Sequence, residues 1–332
     1  MESRNLAPDP ALPPPPGAIG ALVGGFNAIT GNIAVILIPI LFDSFLWLGP
    51  RLASAVFFAP MREILPQIQA QLPAGQAQPL VDFFTEFSNG FNLFSVLRTF
   101  PLGVFSLMSA NLSLTSPLGL RPAYEIPNLL IFLGLMLCLT VGGWLTGGLY
   151  FQTVARAAPG REKAAALPWA FLQSLILAAF WSFLFLLANL PLVIFFFLLS
   201  LLNSLLVSVV LFMLMLPLTW LAMGIFFSFH GIFASRQNLF ISVRNSARLL
   251  RYGLPPLGWF SMLALVISQG LNLLWKIPPV NSWMAGVGII GHAFVSTSLL
   301  AASFIYYRDL NAWIESALHW LKSQKTTSSA RA

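Results

Sequence analysis

The stretch that decides the fold runs from Ala164 to Ser235 and reads AAALPWAFLQSLILAAFWSFLFLLANLPLVIFFFLLSLLNSLLVSVVLFMLMLPLTWLAMGIFFSFHGIFAS. It contains no Lys, Arg, Asp or Glu, and His230 is its only side chain that titrates near neutral pH. A helix rises about 1.5 Å per residue and crosses the ~30 Å hydrocarbon core of a bilayer in about 20 residues. The stretch is long enough to cross more than once, so it predicts a polytopic membrane protein.

The composition agrees with this prediction. Apolar residues make up 58% of the chain and charged residues 8%, whereas a soluble domain carries about 25% charged residues. The net charge is +7, but the basic residues cluster at the ends of apolar segments instead of forming a long run. That distribution favours loops at an anionic membrane surface and argues against nucleic acid as a partner. The lone Cys138 is expected to be a small buried hydrophobe and excludes a disulfide framework within the chain.

The flanks of the charge-free stretch determine how often it crosses. Basic residues lie on both sides of it: Arg156, Arg161 and Lys163 before, and Arg236, Arg244, Arg248 and Arg251 after. Short basic loops stay cytoplasmic, so the number of crossings between them is even. Four crossings would leave each helix at the lower length limit, so we expect two. Asn203-Ser204 is the candidate outer turn, with Pro191 and Pro217 inside the two helices.

The whole chain then divides into six membrane spans of an all-α fold. The apolar segments are Asn27–Leu48, Pro127–Phe151, Pro168–Ser235 (two crossings), Pro256–Trp275 and Trp283–Tyr307. Both termini are expected on the cytoplasmic side of the plasma membrane, because this arrangement leaves only Arg51, Arg62, Arg98, Arg121 and Lys276 of the 17 Lys and Arg outside. Residues 1–20 are expected to be a disordered Pro-rich tail, 21–310 the membrane domain, and 311–332 an amphipathic helix with a basic tail.

The outer loop, residues 49–126, is too long for a simple connection and carries two amphipathic patterns. The first consists of Met61, Ile64, Leu65, Ile68 and Leu72, and the second of Leu80, Phe83, Phe84, Phe87, Phe91, Phe94 and Leu97. Their helical spacing predicts two interfacial helices, with a break near Asn89-Gly90. They either pack against lipid headgroups or form a lid over the bundle.

A third amphipathic helix is predicted on the cytoplasmic side. Its apolar stripe consists of Phe240, Val243, Ala247 and Leu250, and its basic stripe of Arg244, Arg248 and Arg251. Arginines near an anionic leaflet are attracted to it, so these three are candidate contacts for anionic lipid headgroups. An ordinary solvated helix remains the alternative. A further helix from Leu310 to Leu321 is expected to lie along the membrane.

Motifs for catalysis are absent from the sequence. It contains no P-loop, Rossmann glycine fingerprint, HExxH or GxSxG. His230, His292 and His319 are not spaced to ligate a metal from one helix. We therefore expect no enzymatic activity and no cofactor.

Ionisable residues inside a membrane are candidate functional sites by default, and two stand out. Asp43 follows the apolar run 33–42 and is expected to pair with Arg51 near the outer interface. His292 is expected to make a hydrogen bond between helices, with a proton relay as the alternative. Gly143 and Gly147 predict a surface for close helix packing.

The later half of the chain resembles a group of poorly characterised bacterial membrane proteins, which are similar to the non-catalytic membrane domain attached to some glycerophosphoryl diester phosphodiesterases. The resemblance covers roughly residues 164–310. It rests on a long apolar span followed by the basic segment RNSARL at 244–249, and on YYRDL at 306–310. It implies a membrane architecture without enzyme activity.

Two classes of function follow from these observations. The absence of motifs favours a non-catalytic membrane scaffold or assembly factor, with membrane lipids and a membrane protein as partners. The alternative is a transporter or lipid-handling protein, which would need a cavity within the membrane. Pro191 and Pro217 hint at such a cavity because they interrupt helices.

Overall fold

A computed structural model of the chain describes residues 14–71, 74–158 and 166–329. Its α-helices are α1 (Ala18–Thr30), α2 (Leu37–Leu48), α3 (Ala55–Gln71), α4 (Ala74–Gly90), α5 (Leu129–Ala157), α6 (Leu167–Leu202), α7 (Ser204–Ser235), α8 (Leu239–Tyr252), α9 (Leu254–Trp275) and α10 (Ala285–Ser329). The short strands are β1 (Arg51–Ala53), β2 (Thr115–Ser116), β3 (Gly119–Leu120) and β4 (Ala123–Glu125). Two short 3-10 helices cover Ile33–Ile36 and Leu93–Leu97.

The all-α polytopic fold is confirmed. Within the described residues, α5, α6, α7, α9 and α10 are long and apolar enough to cross a membrane, and α1 with residues 33–48 makes a sixth candidate span. The charge-free stretch forms two helices that meet at Asn203, as expected. The side chain of Asn203 accepts a 2.7 Å hydrogen bond from the Leu205 amide and caps α7.

The first span is broken. Its two halves meet at an angle of 92° after Gly31, where Asn32 donates a 2.9 Å hydrogen bond to the Ala28 carbonyl left free by the end of α1. Gly25 in α1 packs against Ala302, and Trp47 in α2 packs against Trp283. Trp47 also lies beside Gly286, and Gly286 and Ala302 are about 24 Å apart along α10, so the broken pair extends along most of one membrane span.

Helix α10 is the centre of the bundle. In its most apolar 18-residue stretch 78% of the residues are buried, against 0% in α6 and in α7. Helices α1, α2, α5, α7, α8 and α9 all pack against it. The main hydrophobic core therefore surrounds α10, whereas much of α6 and α7 faces outward as a pair.

The long loop 49–126 covers one end of the bundle, which we name the loop face. Helices α3 and α4 form an antiparallel pair, and the parallel strands β1 and β4 join the two ends of the loop. Phe57 of α3 stacks on Phe132 at the start of α5, with ring centroids 4.7 Å apart. The opposite end of the bundle carries α8 and is named the α8 face.

Three expectations need correction. The predicted separate helix 310–321 is part of α10, because residues 307–311 contain no Gly or Pro that would end the helix. Residues 18–20, which were expected in the disordered tail, belong to α1, since that helix begins at Ala18. Cys138 is exposed on α5, facing the surroundings of the bundle. Residues 1–13 of the tail, Leu72, Arg161, Lys163 and Arg331 lie outside the described residues.

Candidate functional site

A non-helical segment of the loop enters the bundle. Residues 97–108, named the re-entrant segment, follow the second 3-10 helix and are largely buried. Phe105 approaches Tyr150 of α5, with ring centroids 6.3 Å apart, and Tyr150 hydrogen bonds to Thr297 over 2.9 Å. Thr297 lies about 18 Å along α10 from its start, so the segment reaches the middle of the span. Irregular backbone is tolerated at that depth only where protein surrounds it or it lines a cavity.

Glycines of α5 make room for the re-entrant segment. A Cβ atom on Gly143 would lie 2.5 Å from the Leu97 carbonyl oxygen, and one on Gly147 would lie 2.6 Å from the Cα of Gly103. The predicted close-packing surface therefore exists, but it receives an irregular segment where we expected a helix. The run of Pro101 to Phe105, apolar and glycine-containing, is the sequence signal that was missed.

Asp43 holds the C-terminal end of this segment. Its carboxylate is fully buried and accepts hydrogen bonds from the Ser106 hydroxyl, from the Leu107 amide (2.9 Å) and from the Met108 amide (3.1 Å). Charged acceptors make strong hydrogen bonds, so this carboxylate fixes three donors of an otherwise irregular chain. The expected ion pair between Asp43 and Arg51 is wrong, because residues 106–108 occupy the carboxylate and Arg51 bonds to the Asn89 carbonyl instead.

Arg51 belongs to a different cluster on the loop face. It donates a 2.8 Å hydrogen bond to the Asn89 carbonyl, and Arg121 donates one of 3.1 Å to the Gly49 carbonyl. Burial, with a smaller contribution from the charge of Arg51, lowers the pKa of Arg121 to about 10. Both guanidinium groups remain charged at neutral pH and tie the ends of the loop together.

His292 joins two helices, as expected. Its Nδ1 lies 2.8 Å from Oδ1 of Asn272 on α9, while its Nε2 is buried without a hydrogen-bond partner among the described residues. Because each helix contributes one member of the pair, the contact fixes α9 against α10. A proton relay would need a further hydrogen-bond partner at Nε2, and the described residues supply none.

His230 was not predicted from the sequence to be a functional site, yet it is one of the most enclosed polar side chains. Its Nε2 lies 2.8 Å from the Ser303 hydroxyl and its Nδ1 lies 3.1 Å from the Phe226 carbonyl. Aromatic rings surround it, the nearest being Phe304 with a centroid distance of 4.3 Å. Both ring nitrogens are engaged, so His230 locks α7 to α10.

The His230–Ser303 and His292–Asn272 contacts lie beside a cleft of about 370 Å³ between α7, α9 and α10, which we name the lateral cleft. Helices α7 and α9 both pack on α10 and on α8 but barely meet each other. The wall of α7 runs from Thr219 to Phe227, that of α9 from Phe260 to Gln269, and the floor on α10 from Ser296 to Ser303. Phe100 and Phe105 of the re-entrant segment also line it. Thr219 and Gln269 are exposed, so the cleft opens sideways between the helices.

The lateral cleft ends at Ser296, one helical turn from His292, and neither His292 nor Asp43 lines it. The two predicted polar sites thus support the architecture around the cleft without facing into it. Its volume lies within the ~300–1,000 Å³ range of ligand sites, and its walls are mostly apolar, as such sites require.

The three predicted lipid-binding arginines lie on α8 but differ in their surroundings. Arg244 and Arg251 are exposed, whereas Arg248 forms a 3.0 Å ion pair with Glu315 of α10. The predicted apolar stripe is split: Phe240 is 78% exposed, while Leu250 is buried against α7. The packed face consists of Ser242, Ser246, Leu249 and Leu250.

Searches against protein-family models, curated proteins and solved structures find no match for this chain. The resemblance to phosphodiesterase-linked membrane domains therefore stays a prediction from the sequence.

Proposed function

We propose that this chain is a lipid-handling membrane protein that holds an apolar lipid chain in the lateral cleft. The observation that carries the proposal is the separation of α7 from α9 above a floor formed by α10. In a bilayer such an opening faces lipid tails, and its apolar walls match them. The proposal involves binding alone, without bond-making chemistry and without a cofactor.

The orientation of the protein completes this proposal. The exposed Arg236, Arg244 and Arg251 lie near the α8 face, and short basic segments stay in the cytoplasm. We infer that the α8 face is cytoplasmic, that both termini lie on that side, and that the loop face is outside. The plasma membrane is the proposed location.

A lipid with a photoactivatable group in its acyl chain tests the proposal in nanodiscs. Crosslinks from wild-type protein are expected on peptides of α7 and α9 that line the cleft. Ala264→Phe would place a ring in the cleft and displace about two methylene groups, worth ~1.6 kcal/mol or roughly tenfold in occupancy. Val266→Phe is the matched control, because Val266 is 60% exposed on the same helix and outside the cleft lining. Equal crosslinking in both variants would rule out the lateral cleft as the binding site.

A scaffold role is the second candidate, supported by the exposed outer halves of α6 and α7. Large apolar side chains such as Phe212 (77% exposed) and Leu216 (81%) face away from the bundle. A membrane-embedded protein partner would find an unobstructed helical surface there. Photo-crosslinking from position 216 in native membranes distinguishes the two: a protein adduct of defined mass supports the scaffold, and lipid adducts alone oppose it.

A further inference from the structure

The two ends of the lateral cleft differ in polarity. Toward the α8 face its large side chains are Phe227 on α7 and Phe260 on α9, beside the hydroxyls of Ser261 and Ser303, and no amide lies among its lining residues there. Toward the loop face they carry Thr219, Ser268 and Gln269. Phe260 and Gln269 are separated by about 14 Å along α9, so the change occurs within the length of one bound chain. An occupant that matches both ends is apolar at one end and polar at the other.

The hydrogen bonds of the polar residues narrow the choice of occupant. The hydroxyl of Thr219 donates to the Met215 carbonyl over 2.7 Å, and that of Ser296 donates to the His292 carbonyl over 2.7 Å. These groups are satisfied within their own helices. By contrast, the side chains of Ser261, Ser268 and Gln269 make no hydrogen bond in the described part of the chain, and Gln269 is the only amide among the three.

An unpaired amide at this depth is unfavourable because lipid tails offer it no partner. Gln269 lies six residues before the end of α9, about 9 Å below that end, and therefore inside the span. Its Nε2 group and the hydroxyl of Ser268 are donors one residue apart on the cleft wall. A ligand with an acceptor at this level would satisfy both.

We infer that the lateral cleft selects an acyl lipid from the leaflet on the loop face. The carbonyl oxygen of the acyl linkage accepts hydrogen bonds from Gln269 and Ser268, and the chain extends toward Phe227 and Phe260. This inference rests on the proposed lipid-handling function and adds the chemistry of the linkage. A lipid with an ether linkage fills the same space but has no carbonyl, so it leaves Gln269 unpaired.

Competition between two matched lipids tests the inference on the full-length protein. Diacyl and dialkyl-ether phosphatidylcholine of equal chain length are supplied together in nanodiscs, and the lipid retained is measured by native mass spectrometry. Wild-type protein is expected to retain the diacyl form about tenfold better, the ratio that one net hydrogen bond supplies. Equal retention by wild-type protein would overturn the inference.

Variants separate the inference from the proposed function. Gln269→Leu and Ser268→Ala should each reduce the diacyl preference while leaving dialkyl retention unchanged, which also shows that the cleft is folded. Asn189→Leu is the control, because Asn189 is a partly exposed amide on α6 outside the cleft. If Gln269→Leu keeps the full preference, the linkage chemistry is wrong. If Ala264→Phe retains both lipids like wild-type protein, the proposed function itself is wrong.

Discussion

At the scale of single residues, Asp43 does the most to shape the interior of this protein. Its carboxylate accepts a hydrogen bond from the hydroxyl of Ser106, which lies 63 residues later in the sequence. It also accepts hydrogen bonds from two backbone amides of the re-entrant segment. These amides belong to irregular backbone and have no other partner in secondary structure. A buried donor that loses its acceptor costs about 1–3 kcal/mol, so the carboxylate is required for the segment to remain inside.

Replacement of Asp43 tests this role. Asp43→Ala is expected to lower the free energy of unfolding by about 3 kcal/mol or more, because three donors lose their acceptor together. Unfolding by SDS in mixed micelles measures the change, and hydrogen exchange of residues 97–108 should accelerate. Asp82→Ala, at an exposed acidic residue of α4, serves as the control and should change stability by less than about 0.5 kcal/mol. An unchanged exchange rate in Asp43→Ala would contradict the role assigned to the carboxylate.

At the scale of elements, the buried face of α8 differs from the apolar stripe that its sequence predicts, because two serines are buried and Phe240 is exposed. Its hydroxyl face lies on α7, where Ser246 donates a 2.6 Å hydrogen bond to the Gly224 carbonyl. The opposite face presents Phe240, Arg244 and Arg251 outward. An aromatic side chain flanked by arginines suits an anionic headgroup layer, since the ring inserts while the charges stay at the surface. Anionic lipid therefore remains the proposed partner of this face.

The arginines of α8 give the prediction at this scale. Each Arg near an anionic surface contributes about 1 kcal/mol, so the double variant Arg244→Gln/Arg251→Gln should weaken retention of phosphatidylglycerol roughly 30-fold at low salt. The effect should shrink at higher ionic strength as the ~10 Å Debye length at 0.1 M becomes shorter. Native mass spectrometry of full-length protein from mixed-lipid nanodiscs measures it.

The control for that experiment is Arg62→Gln on the loop face, where the side chain is exposed on α3. It should leave phosphatidylglycerol retention unchanged. Equal retention by the α8 double variant and the Arg62 variant would show that α8 has another partner.

At the scale of the whole molecule, we propose that six spans place the two termini on one side of the membrane. The broken first span matters most here. If it crosses the membrane once, the number of crossings is even and both termini lie on the same side. Gly25 packs against Ala302 and Trp47 lies beside Gly286, about 24 Å apart along α10, so we propose that the two halves together make one crossing. The basic residues around α8 then give the proposed orientation.

Cysteine labelling in intact cells tests the topology. In a background in which Cys138 is replaced by Ser, Ser204→Cys at the α6–α7 turn should react with an impermeant maleimide from outside. Ser323→Cys near the end of α10 should react only after the membrane is permeabilised. Labelling of both positions from outside would contradict the six-span arrangement.

The sequence alone predicted the five long apolar helices and the turn at Asn203, but it took the broken first span as a single segment. These features depend on properties of individual residues: charge is excluded from hydrocarbon, and Gly or Asn ends a helix. The interhelical contact of His292 was also predictable, since a polar side chain in a span seeks a neighbouring helix.

Only the tertiary structure decided what surrounds Asp43, how deeply residues 97–108 enter the bundle and where α7 separates from α9. The run from Pro101 to Phe105 is apolar, and an apolar run has the same composition whether lipid or protein covers it. Likewise, Asp43 had a nearby basic residue in Arg51 but received its hydrogen bonds from residues more than 60 positions away. These hydrogen-bond partners and this burial depend on which distant segments the fold brings together. Local sequence patterns carry no information about such long-range contacts.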